Sequence, residues 1–324
     1  MAVYVNTNYS ALQGQRYLGN VQNQLTTTYQ RLSSGMRINS AKDDAAGLQI
    51  ADRLTSQING LNQGNRNASD GIALAQTIES GMDEVSGMLQ KMRTLAVQAA
   101  NGTNTTQDRE ALGKEMGALA TEINRIAKQT TFAGKTVLNG KLDGSIYGDL
   151  GNNPGGANAP LAGAAGSMTL QVGSNKGDTI SFNVESVYFS KIANDTNLVA
   201  EQGKFFVANK NGTVTIDLTK ISFDAAPPNN TKGIGDVIAL MDAAIAKVDS
   251  QRADLGAIQN RLESSIRNQS NVAANEADAR SRIRDADFAQ ESANLSQQSI
   301  IQQAAASMLM QANTRPQLGL SLLG

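Results

Sequence analysis

Between Leu54 and Ala99 the chain reads LTSQINGLNQGNRNASDGIALAQTIESGMDEVSGMLQKMRTLAVQA. Apolar or small residues recur every seven positions in this stretch: Leu54, Leu61, Ala68, Ala75, Met82, Leu89 and Ala96. A second series follows the first by three positions: Ile78, Val85, Met92 and Ala99. This a/d pattern is typical of a helix that packs along other helices. The helix would be about 70 Å long at 1.5 Å per residue, so we predict a helical bundle.

Both ends of this helix are marked in the sequence. Ser40 followed by Asp43 and Asp44 predicts a start, and Asn101-Gly102 predicts an end. Five glycines lie inside it: Gly60, Gly64, Gly71, Gly81 and Gly87. Each costs about 1 kcal/mol relative to alanine in a helix interior. We interpret them as points where neighbouring helices approach closely, the alternative being a merely weak helix.

The composition excludes several classes of function. The chain has 324 residues, no histidine, no cysteine and a formal net charge of −1. Without histidine and cysteine it lacks the commonest general base and the usual zinc ligands. The charge balance argues against a nucleic-acid binder, and no apolar run is long enough to predict a membrane span. Asp43 and Asp44 have no co-ligands for a metal, so we expect no metal, no cofactor and no enzymatic activity.

Two apolar stripes with almost no charge lie near the chain ends. The first thirty residues contain one charged side chain, Arg16, and Ser292 to Thr314 contains none. The stripes comprise Leu18, Val21, Leu25 and Leu32 at one end, and Leu295, Ile301, Ala305, Met308 and Ala312 at the other. An amphipathic stripe without solvating charges favours a partner over a frayed terminus. We expect the two ends to pair as helices.

The segments between these stripes alternate in pattern. Thr105 and Thr106 before Asp108 predict a second helix of about twenty residues that folds back on the first. Alternating residues predict one hairpin from Met168 to Val184 and another around Asn211-Gly212. Heptad spacing returns at Ile234, and a last helix is predicted from about Arg282 to Ala312.

These patterns predict a mainly α fold. Long heptad helices from both chain ends form a coiled-coil or bundle rod, and the middle of the chain is a small β-rich insertion. We expect a terminal coiled-coil domain at 1–44 plus 280–324 and a helical bundle at 45–142 plus 234–279. The β-rich region spans 143–233; its 168–186 hairpin is assigned to the bundle and the remainder to a small outer surface.

Four segments resemble the signature of the bacterial flagellins. They are RLSSGMRINSAKDDAAGLQIADR from Arg31 to Arg53, SRIRDADF from Ser281 to Phe288, QQAAASMLMQAN from Gln302 to Asn313, and LSLL from Leu320 to Leu323. The resemblance covers roughly residues 1–140 and 235–324, in the family's order and spacing. Arg284 departs from it, because an acidic residue is common there in the family.

The resemblance implies a secreted, extracellular structural subunit that polymerises into the flagellar filament for motility. It implies export of the unfolded chain by the flagellar export apparatus, with an export chaperone, and assembly beneath a filament cap next to hook-associated proteins. Sister flagellins are further possible partners. The nine residues of the two stripes would then be the self-assembly contacts, because we expect one slender monomer to be unable to bury them.

The resemblance also implies sensing by an innate immune flagellin receptor. The matching residues here are Gln90, Lys91, Leu95 and Gln98, with Glu115 on the second helix. Gln90, Lys91 and Gln98 avoid the heptad seam and Leu95 lies at its edge. Lys91 stands where recognised flagellins often carry arginine, which predicts weaker recognition because lysine lacks the planar bidentate fork.

Two alternatives remain from the sequence. The flagellin-like protein of the hook–filament junction has similar termini, and polymerisation on seeds would separate the two. Some flagellins carry a protease insert, but such an insert would show His-Glu-x-x-His and this chain has no histidine.

Overall fold

The computed structural model describes residues 7–141, 144–148, 165–195, 206–208, 214–216, 218 and 234–321. The helices are α1 (Tyr9–Ser34), α2 (Ala45–Ala99), α3 (Thr106–Gln129), α4 (Phe189–Asp195), α5 (Ile234–Arg284) and α6 (Phe288–Ser321). The strands are β1 (Thr131–Phe132), β2 (Lys135–Thr136), β3 (Gly166–Gln171), β4 (Thr179–Val184), β5 (Phe206–Ala208) and β6 (Val214–Ile216). The strands pair in order as three antiparallel two-stranded sheets. The predicted mainly α fold with small sheets in the middle is confirmed.

The chain divides into two compact units. The terminal unit comprises Met1–Gly60 and Asn271–Gly324, and the central unit comprises Leu61–Ser270. The division therefore falls inside α2 and α5 rather than at the predicted 44/45 and 279/280. The docking of the β3–β4 hairpin on α2 begins at Gly64, whereas Thr55, nearer the start of α2, accepts a hydrogen bond from Arg280 of the terminal unit.

The heptad positions of α2 form the core of the central unit. Nine of them have no solvent exposure: Ala68, Ala75, Ile78, Met82, Val85, Leu89, Met92, Ala96 and Ala99. They belong to one apolar cluster with residues of α3, α5 and the β3–β4 hairpin. Polar bonds link α2 to α5: Arg252 Nη2 lies 3.0 Å from Asp83 Oδ1, and Gln259 Nε2 donates to Glu79 over 2.9 Å. The predicted bundle seam is confirmed.

The predicted helix starts are present, with one change of residue. Asp44 caps α2, because its Oδ1 accepts the Gly47 N–H over 2.9 Å. Asp43 instead accepts the backbone N–H groups of Asn39 and Ser40, and these bonds, the Ser40 N–H first, lower the pKa of its carboxyl. Thr105 and Asp108 form the capping box of α3.

The last helix begins later than predicted. Asp285, Ala286 and Asp287 separate α5 from α6. Asp287 caps the start of α6, because its Oδ1 accepts the N–H groups of Ala289 and Gln290 over 2.9 and 3.3 Å. Arg282 therefore belongs to the end of α5.

The glycines of α2 contact the β3–β4 hairpin and a loop residue. A Cβ on Gly64 would lie 2.1 Å from the carbonyl oxygen of Val172, just after β3. One on Gly71 would lie 2.3 Å from Leu170 Cδ1, and one on Gly81 would lie 2.5 Å from Leu138 Cδ1. The prediction of close approach is correct at these three glycines. The nearest atoms, however, belong to the hairpin region and to a loop residue rather than to a neighbouring helix. Gly87 has nothing within 4 Å and is an ordinary exposed helix position.

Candidate assembly surface

Helices α1 and α6 of the terminal unit pair in antiparallel orientation. Asn8 Nδ2, before α1, donates to the Ala312 carbonyl over 2.8 Å, and Thr28 Oγ1 donates to Gln298 Oε1 over 3.1 Å. The helices approach closely where Gly14 faces Leu309: a Cβ on Gly14 would lie 3.3 Å from Leu309 Cδ1. The predicted pairing of the two chain ends is therefore present within one chain.

Main-chain hydrogen bonds join the two connections next to this helix pair. One connection follows α1 and the other precedes α6. The Arg37 N–H donates to the Arg284 carbonyl over 2.7 Å, and the Ala286 N–H donates to the Gly35 carbonyl over 2.9 Å. Arg37 Nη2 also donates to the Ile283 carbonyl over 2.8 Å. The backbone therefore fixes the level at which α1 ends and α6 begins.

A partly buried ion pair lies near this end of the helix pair. Arg31 Nη1 of α1 is 3.0 Å from Glu291 Oε1 of α6, with side-chain exposures of 31% and 9%. Glu291 Oε2 and Arg31 Nε have no hydrogen-bond partner within the described part of the chain. The nearly buried Glu291 carboxylate therefore depends strongly on Arg31 for its stabilisation.

Glu291→Gln is expected to loosen the α1–α6 pair. The amide keeps the size of the side chain but removes the carboxylate paired with Arg31, which then keeps only the electrostatic interaction with Asp43. Since Arg31 is partly solvated, we expect a loss of about 1–2 kcal/mol, below the 3–5 kcal/mol typical of fully buried pairs. Amide hydrogen exchange in α1 and α6 measures it, with α3 amides as the internal reference. The double variant Arg31→Met/Glu291→Leu should be less destabilised than Glu291→Gln; equal protection in wild type and Glu291→Gln would contradict the expectation.

The nine predicted assembly residues fall into three groups. Val21 and Leu25 are buried, with exposures of 8% and 7%. Leu18, Leu32, Leu295, Ala305 and Ala312 are half-buried. Ile301 and Met308 are 42% and 69% exposed. The expectation that one chain could not bury the stripes is therefore wrong for Val21 and Leu25, which α6 covers because the two helices pair.

The strongly exposed apolar side chains were mostly missed in the sequence. Among the described residues twelve large apolar side chains are exposed, and eleven of them, all but Val97, lie in the terminal unit. They are Tyr9, Leu12, Tyr17, Tyr29, Ile50, Val272, Phe288, Ile300, Ile301, Met308 and Met310. On α1 they lie outside the heptad positions. In the sequence they can be recognised as apolar residues on a second face of a helix that has almost no charge.

A groove runs between the start of α1 and the later part of α6. It is lined by Ser10, Gln13, Gly14, Tyr17, Met308, Gln311 and Ala312. None of these side chains carries a charge at neutral pH. The groove therefore combines apolar side chains with neutral hydrogen-bonding groups.

The predicted receptor residues lie in the central unit. Gln90, Lys91 and Gln98 of α2 are exposed, as is Glu115 of α3. Leu95 is only 8% exposed and belongs to the apolar core. It therefore offers a partner little surface, because it faces the core rather than the edge of the seam.

Within the described residues no group of acidic side chains could hold a metal ion, and no helix is long and apolar enough to cross a membrane. The models of the bacterial flagellin N-terminal and C-terminal helical regions match residues 5–143 and 238–323. Flagellin A of Vibrio cholerae is 39% identical to this chain over 379 aligned residues that cover 100% of both chains. The chain belongs to the bacterial flagellin family.

A second relative agrees with this assignment, and one solved structure shares the fold. Polar flagellin C of Vibrio parahaemolyticus is 37% identical over 385 residues, with 100% of both chains covered. A putative flagellar hook-associated protein of the same species has a TM-score of 0.51 at 17% identity and covers 75% of this chain and 100% of its own. That second likeness concerns the fold alone. As a flagellin, the chain is a structural subunit of the extracellular flagellar filament.

Proposed function

We propose that the exposed apolar face of the α1–α6 pair packs against other copies of this chain in the inner core of the filament. The observation that carries the proposal is the concentration of exposed apolar side chains in the terminal unit, eleven of the twelve among the described residues. Burial of apolar surface contributes about 25 cal/mol per Å². Because a polymer repeats each contact along its length, this gain recurs at every added subunit.

The low charge of these helices fits the same arrangement. No charged side chain occurs from Ser292 to Thr314, so the faces of α6 that stay uncovered carry Gln, Ser and Asn. A channel lined by such groups would not retain a passing chain electrostatically. We therefore propose export of the unfolded chain through the filament. Membership of the flagellin family supports the other partners that we propose: an export chaperone, a filament cap, hook-associated proteins and sister flagellins.

Deletion of residues 295–324 tests the assembly proposal. The shortened chain loses most of α6, including Met308 and Ile301, but keeps Glu291 and all of the central unit. We expect no filaments by electron microscopy after seeding, and a melting transition of the central unit close to that of the full chain. Filaments formed by the shortened chain would refute the proposal. If the full-length chain binds to seeds without elongating them, the alternative, the hook–filament junction protein, is favoured instead.

The second part of the proposal concerns the innate immune receptor. Gln90, Lys91 and Gln98 provide exposed polar groups on α2, and Glu115 provides a carboxylate on α3. These side chains could meet a charged partner without disturbing the core. Leu95 would contribute to recognition indirectly, because it packs α2 into the core, rather than by contacting the receptor over a large area.

Receptor signalling by the monomer tests this assignment. Lys91→Arg is expected to raise signalling, since the guanidinium adds bidentate hydrogen bonds, and Glu115→Ala is expected to lower it. Leu95→Ala should lower signalling together with the melting temperature, since it removes a buried side chain. The assignment is wrong if Glu115→Ala and Lys91→Arg both signal like the wild type.

A further inference from the structure

Three Asn-Gly pairs occur among the described residues: Asn59-Gly60, Asn101-Gly102 and Asn139-Gly140. An Asn-Gly pair can close a ring between its own atoms, because the glycine nitrogen is unhindered and can reach the side-chain carbonyl carbon of the asparagine. Whether it does so depends on the local backbone. The three pairs therefore provide an internal comparison within one chain.

Two of the pairs are held in protected surroundings. Asn59-Gly60 lies inside α2, where the helical hydrogen bond engages the glycine N–H. Asn139 is 4% exposed, and the buried Gly140 has a φ of 67°. The backbone of a helix and the packing of a buried turn both hinder the ring closure that the reaction requires.

The third pair lies in the exposed connection between α2 and α3. Asn101 and Gly102 are both exposed, and the space around Gly102 is open, with nothing within 4 Å of a Cβ placed there. In the described part of the chain the Gly102 N–H donates to no protein acceptor. The Thr103 N–H donates to Asn101 Oδ1 over 3.4 Å. The asparagine side chain is therefore folded over the peptide group that would attack it.

We propose that Asn101 is a site of spontaneous deamidation. The Gly102 nitrogen loses its proton to water or hydroxide and forms a bond to Asn101 Cγ. The Cγ–Nδ2 bond then breaks and ammonia leaves, which closes a succinimide ring. Water opens the ring at either carbonyl and gives aspartate or isoaspartate. No oxidation or reduction occurs, and water is the only co-reactant.

The Thr103 N–H assists this reaction at the step where charge develops. When the Gly102 nitrogen adds to Cγ, Asn101 Oδ1 becomes an oxyanion, and the Thr103 N–H already points at that oxygen. A backbone donor aimed at a developing oxyanion stabilises the transition state.

The modification would alter the end of α2. The Asn101 N–H and Asn104 Nδ2 both donate to the Gln98 carbonyl, over 3.1 and 2.6 Å. A new carboxylate beside the carbonyl end of a helix is unfavourable because of the helix dipole. Isoaspartate also lengthens the backbone by one methylene. The inference is independent of assembly and receptor binding.

Incubation of the full native chain at mildly alkaline pH, followed by trypsin digestion and mass spectrometry, tests the proposal. Each Asn-Gly pair falls in its own tryptic peptide: 54–66, 94–109 and 136–141. We expect conversion at Asn101 to be at least about tenfold faster than at Asn59 and Asn139, a barrier difference of about 1.4 kcal/mol. In denaturant the three rates should converge, because the protection of the other two pairs is lost.

Gly102→Ala is the matched variant. The open space around Gly102 accommodates the methyl group, so the fold is retained while the alanine nitrogen is more hindered. Conversion at Asn101 should slow about tenfold or more, whereas Asn59 and Asn139 should be unaffected. The proposal is overturned if native Asn101 reacts no faster than Asn59, or if Gly102→Ala leaves its rate unchanged.

Discussion

Met308→Asp is expected to abolish filament formation and to leave the free energy of unfolding of the monomer within about 0.5 kcal/mol of wild type. Met308 is 69% exposed in the single chain and lines the groove between α1 and α6. The carboxylate is therefore solvated in the monomer. Under the proposed packing it would be buried without a partner, which costs several kcal/mol at every contact in the polymer.

Met308→Leu is the control for this prediction. It keeps an apolar side chain of similar volume, a change that usually costs less than about 1.5 kcal/mol, so seeded assembly should persist. Sedimentation of polymer from monomer measures assembly, and chemical denaturation measures the monomer. Normal polymerisation of Met308→Asp would mean that this face of α6 is not part of the subunit contact.

Gly64→Ala is expected to destabilise the central unit by about 2 kcal/mol. Alanine gains about 1 kcal/mol over glycine in a helix interior. The added Cβ, however, would lie 2.1 Å from the carbonyl oxygen of Val172, and a backbone atom cannot move aside as a flexible side chain can. Overpacking costs about 1–3 kcal/mol, and a contact this short with a backbone atom lies at the upper end of that range, which leaves a net loss of about 2 kcal/mol. The shift of the β3–β4 hairpin would also strain the hydrogen bond from Asn67 Nδ2 to the Gln171 carbonyl, which is 2.9 Å long.

Gly87→Ala is the matched substitution in the same helix. Nothing lies within 4 Å of a Cβ at Gly87, so only the gain in helix propensity remains, about 0.5–1 kcal/mol. The two variants should therefore shift the melting temperature of the central unit in opposite directions. Stabilisation by Gly64→Ala would show that the hairpin does not press on α2 at this point.

The long-range organisation of this fold could be predicted from apolar spacing. The heptad series of α2 identified nine residues that are fully buried, because a seven-residue repeat keeps one face of a helix in contact with its neighbours. Thr105 and Asp108 identified the start of α3 because the capping box is a local arrangement of adjacent residues.

Other features depend on contacts between residues far apart in the chain. The sequence shows that Gly64 is a glycine, but not that Val172 lies against it. It shows an apolar stripe at Val21 and Leu25, but not whether α6 of the same chain or another subunit covers it. Tyr17 and Met310 were missed for the same reason, since their exposure depends on which faces α1 and α6 turn toward each other.

The main-chain bonds beside the α1–α6 pair bear on how this region could diverge between related proteins. Because Arg37 and Ala286 donate through their N–H groups and Arg284 and Gly35 accept through their carbonyls, no side chain is needed for either bond. Substitution at Arg37, Arg284 and Ala286 therefore leaves these bonds intact, except for proline at 37 or 286, which would remove a donor. Gly35 is different, because its φ of 70° favours glycine. Among related proteins, side chains can therefore vary here while the two connections keep the same position relative to each other.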